Sequence, residues 1–180
     1  MEVHAESYCM GLASSNPDVL SLATDRLKEE HQQLRQQLRL LEASAKEVMM
    51  LDDGVKGLQL LGQLRGLTAQ LMDELERHAQ WEDRELFPFL MNYFRRESAP
   101  SILPSFWVLE KDHQLGVSFI QSFHEAVIEL SPLIVKKRLG EAASHLVQAC
   151  LILNDHITME EQMILPLTEQ VLTDLELFFS

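Results

Sequence analysis

The sequence predicts an all-α fold, an antiparallel up-down-up-down four-helix bundle. Three observations carry this: four long segments with apolar residues at steps of three and four, short punctuation between them, and no segment with strand-like alternation. Short connections make consecutive helices run antiparallel. The 180 residues allow one core, and 46% hydrophobic against 24% charged residues is a balance that folds.

Breaks fall at Asn16-Pro17, at Asp52-Asp53-Gly54 with Gly57, from Ser98 to Pro104, and at Ser131-Pro132. The first helix is expected from about Ser21 to Met50, with Leu27, His31, Leu34, Leu38 and Leu41 on one face. The second runs from about Leu58 to Phe94 through Leu64, Leu67, Leu71, Leu75, His78, Glu82 and Phe89. The third, about Pro104 to Leu130, opens on Pro and Ser, residues suited to a helix start, and carries Phe106, Leu109, His113, Val117 and Ile120. The fourth, about Val135 to Leu165, carries Ala142, His145, Ala149, Leu153, His156, Glu160 and Ile164. Residues 1–20 read as a loosely ordered extension and residues 21–180 as the bundle, with Leu167 to Phe179 a short closing segment.

Composition excludes several function classes. Fifteen Lys plus Arg against 28 Asp plus Glu give a net charge of −13, which repels nucleic acid and anionic membrane surfaces. No apolar stretch approaches the roughly 18 residues of a membrane span, and the start lacks the basic-then-apolar order of a signal peptide. Cys9 and Cys150 make no disulfide framework. A soluble, cytoplasmic protein is expected.

The second and fourth helices end in related segments, HAQWEDRELFP from His78 to Pro88 and HITMEEQMILP from His156 to Pro166. Both read His, three residues, Glu, an acid, then Pro six positions after the Glu. Glu30-His31-Gln32 and Asp112-His113-Gln114 match on the first and third helices, so two copies of one helical hairpin are expected about a pseudo-twofold axis. Residues i and i+4 stack on one helix face, so His78 with Glu82, and His156 with Glu160, each aim an imidazole and a carboxylate at one point. His31 and His113 can meet these pairs in a single layer of four imidazoles and two carboxylates.

Imidazole with carboxylate suits iron, whereas an all-oxygen set suits Mg or Ca and thiolates suit Zn or iron–sulfur clusters. Six ligands exceed the four of a closed zinc site, and a carboxylate can bridge two ions. Two non-haem iron ions bridged by Glu82 and Glu160 and capped by His31, His78, His113 and His156 is the economical reading. A lone histidine on an apolar face is more often a hydrogen-bonded core residue than a ligand. A glutamate on the core stripe is not so easily absorbed, because buried charges are paired or coordinate metals. Glu161 rivals Glu160 as a ligand but lies 100° off the face, and Glu85 fits a solvated face. His124 and His145, each eleven residues from a ligand, read as a polar pair or an exposed bundle end.

The ordered set His31, His78-x3-Glu82, His113, His156-x3-Glu160 resembles the hemerythrin-like, or HHE cation-binding, family over about Thr24 to Pro166. The resemblance implies a di-iron centre in a four-helix bundle, with the four histidines as ligands and the two glutamates as bridges. Members of the family include oxygen carriers, sensors of oxygen, nitric oxide or iron, and proteins that repair iron–sulfur clusters. Oxygen carriers place a fifth histidine where this chain has Val117 and use His-x4-Asp on the last helix, so the resemblance implies the four-His, two-Glu pattern of the repair and iron-sensing relatives instead. The short Cys-containing N-terminal domain of repair members has no counterpart beyond the lone Cys9. The expected function is binding or sensing oxygen, nitric oxide or iron in a stress or regulatory role. The competing class is a metal-stabilised interaction bundle acting through a protein partner. A ferritin-like oxidase would carry Glu-x-x-His rather than His-x3-Glu, so the expectation leans away from an enzyme.

Overall fold

The computed structural model describes residues 17–94, 103–130 and 136–179. Helix α1 spans Pro17–Met50 and α2 spans Gly54–Trp81; a π turn at Glu82–Leu86 joins α2 to α3, Phe87–Phe94. Helix α4 covers Leu103–Ile128 and α5 covers Lys136–Phe179. With α2, the π turn and α3 forming one long rod, four rods make the expected bundle. Around it, α1 packs on α2 and α5, and α4 closes the ring against the same two helices. No strand occurs among the described residues, and no helix among them is long and apolar enough to cross a membrane.

The helix ends follow local chemistry. Asp53 caps α2, its carboxylate accepting from the Val55 and Lys56 N–H groups at 3.0 and 3.1 Å. Helix α1 starts at Pro17, four residues before the expected Ser21, because proline presets the helical φ in a first turn and needs no N–H there. Leu20 is 1% exposed and packs in the core, so residues 17–20 belong to the bundle, not to the extension. The rest of that extension, residues 1–16, lies outside the described residues.

Helix α5 also departs from expectation. It runs 44 residues through Pro166 and absorbs the closing segment expected from Leu167 to Phe179. Proline inside a helix costs about 3 kcal/mol or more through a lost hydrogen bond and a steric clash. Burial beyond it outweighs that cost: Thr168 and Val171 are fully buried, and Tyr93 Oη donates to Asp174 Oδ2 at 2.9 Å.

The apolar core falls into two clusters. One gathers Leu34, Leu38, Leu64, Leu71, Phe123 and Leu153 with their neighbours. The other gathers Leu20, Leu27, Trp81, Leu90, Phe106 and Ile164 with theirs. His31, His78, His113 and Glu160 each fall between the residues of the two clusters along their rods, and Glu82 and His156 adjoin that boundary.

Candidate metal centre

A single polar layer therefore crosses the bundle. In it His31 and Glu160 are fully buried, Glu82 is 3% exposed, and His78 and His156 are each 6% exposed; His113 is half-buried. The π turn begins at Glu82, where the Phe87 N–H donates to the Glu82 carbonyl, five residues back. Pro88 follows at once and has no N–H to give to an α-helical ladder, so a widened turn just before it accommodates the break. The equivalent Pro166 sits in unbroken α-helix.

His31, His78, Glu82 and Glu160 each bring a ligand atom within 4.8 Å of the others. The Nε2 atoms of His31 and His78 are 3.0 Å apart; His78 Nε2 lies 3.1 Å from Glu82 Oε1; His31 Nε2 lies 3.4 Å from Glu160 Oε2. His113 and His156 stand beside this group, their rings stacked with centroids 5.8 Å apart. His156 Nε2 is 3.6 Å from Glu160 Oε2. All six residues singled out in the sequence share the layer, and four of them converge.

Two carboxylates that sequence reasoning had not placed hold the imidazoles in orientation. Glu30 Oε2 accepts from His78 Nδ1 at 2.7 Å, and Glu161 Oε1 accepts from His31 Nδ1 at 3.2 Å. Each acid is anchored by an arginine: Arg26 to Glu30 and Arg35 to Glu161, both at 2.7 Å. Glu161, the sequence-level rival to Glu160, thus faces the far side of His31. Both supporting acids are sequence neighbours of site residues, and the doublets Glu30-His31 and Glu160-Glu161 were the available signal.

Burial and the facing Glu160 carboxylate push Glu82 up to about 8. For Glu160 burial acts in the same direction, but His31 outweighs it and holds the carboxyl below its usual range, so the pair shares one proton on the Glu82 side. Burial pulls His78 down, yet Glu30 and Glu82 more than compensate and lift it to about 10. On Glu30 burial acts upward, but His78 and Arg26 hold it at about 2. His156 is pulled down to about 4 by burial, and burial followed by the charge of His78 lowers His113.

A cavity of about 30 Å³ opens beside the layer, between α2 and α4, bordered by His78, Glu82, Glu160, His113 and His156 and, toward solvent, by Asp83 and Glu110. That volume suffices for one or two waters. Val117 does not border it; the α4 wall is Leu109, Glu110 and His113, on the other side of His113 along the helix. His124 and His145 do not form a pair: His124 Nε2 meets Thr68 Oγ1 at 2.7 Å, and His145 lies against the Phe119 ring.

The donor set fits a metal. Glu82 Oε1, both oxygens of Glu160, His113 Nε2 and His156 Nδ1 are buried and have no hydrogen-bond partner among the described residues. Buried polar atoms are rarely left so, and carboxylates least of all. With Nδ1–H of His31 and His78 committed to Glu161 and Glu30, both Nε2 atoms face the carboxylates, an arrangement in which an outer carboxylate would orient an imidazole for a metal.

The family model of the hemerythrin HHE cation binding domain matches residues 22–168. No curated protein and no solved structure matches the chain.

Proposed function

Because the chain belongs to the hemerythrin HHE cation-binding family, we propose that it is a non-haem di-iron protein that binds or senses oxygen, nitric oxide or iron in a stress or regulatory role in the cytoplasm. The observation that carries this reading is the pair of buried carboxylates, Glu82 and Glu160, with unpartnered oxygens facing imidazole nitrogens. His31, His78, His113 and His156 would be the nitrogen ligands, and Glu82 and Glu160 the bridges. Iron so held would supply reversible electron transfer and binding of a diatomic ligand.

The chain's own residues do the rest. Glu30 and Glu161 fix the ring planes of His78 and His31 and take up the Nδ1 protons. The two apolar clusters exclude bulk water above and below the layer. Access is left to the cavity between α2 and α4, whose Asp83 and Glu110 favour an incoming cation.

Anaerobic purification with iron quantification, and ultraviolet–visible spectra before and after oxygen and nitric oxide, test the proposal. Two irons per chain and a spectral response to either gas support it. One zinc per chain with no iron under reducing conditions overturns it in favour of a metal-stabilised interaction bundle.

A further inference from the structure

Resting on the di-iron reading, we infer that the two metal positions are unequal: the one served by His31 and His78 fills first and holds its ion tightly, and the one served by His113 and His156 fills second and exchanges its ion. The internal repeat makes the comparison direct. It pairs His31 with His113, His78 with His156, Glu30 with Asp112, and Glu161 with Asp83. The acids that serve His31 and His78 are glutamates, and their counterparts toward His113 and His156 are aspartates, one methylene shorter.

The structure shows the effect of that difference. In the first half His78 and His31 each have a carboxylate on Nδ1, at 2.7 and 3.2 Å. Those acids are braced in turn, Arg26 by its place over the Trp81 ring, 4.1 Å from the centroid, and Arg35 by Thr158 Oγ1 at 3.2 Å. In the second half His156 Nδ1 has no partner among the described residues, so Asp112 does not reach it. Asp83, the counterpart of Glu161, is exposed.

Convergence and access point the same way. The four ligand atoms already gathered within 4.8 Å of one another include both histidines of the first half and neither of the second. The cavity borders both histidines of the second half, His113 and His156, but only His78 of the first, leaving His31 out of reach. Preorganised, oriented ligands bind without a further ordering cost, and losing such an outer carboxylate lowers metal affinity by about 10- to 100-fold. The half with both histidines on the cavity and with His156 unsupported is the weaker one.

The test is an anaerobic titration of the metal-free full chain with Fe(II), repeated with Co(II) as a spectroscopic probe, followed by timed extraction with a chelator. The expected result is two steps separated by at least about 10-fold, with a one-metal form surviving extraction. His113→Ala should keep the tight step and lose the weak one, whereas His31→Ala should lose the tight step, circular dichroism confirming that both fold. Glu30→Gln should weaken the first step alone. Asp112→Glu, which lengthens the acid facing the second half, should tighten the second step and narrow the gap. A single cooperative step with no one-metal species, or a one-metal form that survives in His31→Ala but not in His113→Ala, overturns the inference and leaves the di-iron reading standing. A chain that binds no iron, or only one ion, refutes both.

Discussion

Glu82→Gln separates the cost of the polar layer from its use. In the protein without metal, burial and Glu160 raise the Glu82 carboxyl from the ordinary glutamate value of 4.5 to about 8. The fold therefore retains a proton that the unfolded chain has released, and stability falls as pH rises from 4.5 through 8. At pH 7 the gap is about 2.5 pH units at 1.36 kcal/mol each, so Glu82 costs the fold about 3 kcal/mol. Glutamine keeps the shape, carries no titrating proton and can donate its amide N–H to Glu160. His78 loses one of its two carboxylates and keeps Glu30 at 2.7 Å, which takes back part of the gain. A net stabilisation of about 2 kcal/mol at pH 7, or about 4 to 8 °C in Tm for a chain this size, is expected. Urea unfolding followed by circular dichroism, with chelator present at pH 5.5, 7 and 8, should show the variant's advantage growing with pH. Added Fe(II) should then stabilise wild type more than the variant, because only the former keeps both bridging carboxylates. A variant less stable than wild type at pH 7 under chelator, or an advantage that stays flat with pH, would refute the reasoning.

Metal binding must displace the protons held on His78 and Glu82, so about two protons per chain should be released at pH 7 and affinity should drop on acidification; calorimetry in two buffers of different ionisation enthalpy checks this. Glu160→Ala should lower iron occupancy more than Glu161→Ala, since Glu160 offers two unpartnered oxygens to the layer and Glu161 acts through His31; metal analysis of the two purified variants decides it. At Gly116 an added Cβ would come 2.5 Å from Leu153 Cδ2 and 2.6 Å from its Cγ, so Gly116→Ala should overpack the α4–α5 seam and cost about 1 to 3 kcal/mol by chemical denaturation.

That the six candidate residues share one layer was legible because a glutamate on a core stripe is costly and this one recurs, with its histidine, on two helices. The supporting acids were harder to read. Helical spacing reveals which residues share a face, but Glu30 reaches His78, and Glu161 reaches His31, across rods whose mutual register periodicity does not encode. Pro88 and Pro166 occupy equivalent places in the repeat, yet one follows a π turn and the other sits in regular helix. Local sequence does not separate them, and burial further along does not either, since Leu90 past Pro88 and Val171 past Pro166 are both fully buried. The cavity beside the layer is bordered on α4 by Leu109 and Glu110 and not by Val117, the position where oxygen carriers place a fifth histidine. Placing a void requires knowing which seam packs least closely, and that is a property of all four rods together.

The polar layer lies between the two apolar clusters, and every rod crosses it. Hydrophobic contact holds each half together, but across the layer the unloaded chain has facing carboxylates and stranded imidazole atoms. The two ends of the bundle should therefore behave as separate foldons, opening at different free energies, with amide exchange around Leu20, Leu90 and Ile164 out of step with that around Leu38, Leu71 and Phe123. Ions ligated from all four rods would stitch those units into one, sharpening the unfolding transition as well as raising it. A protein built this way reports its metal content through its cooperativity, and a protease or partner that samples partly opened molecules would read that report without touching the centre.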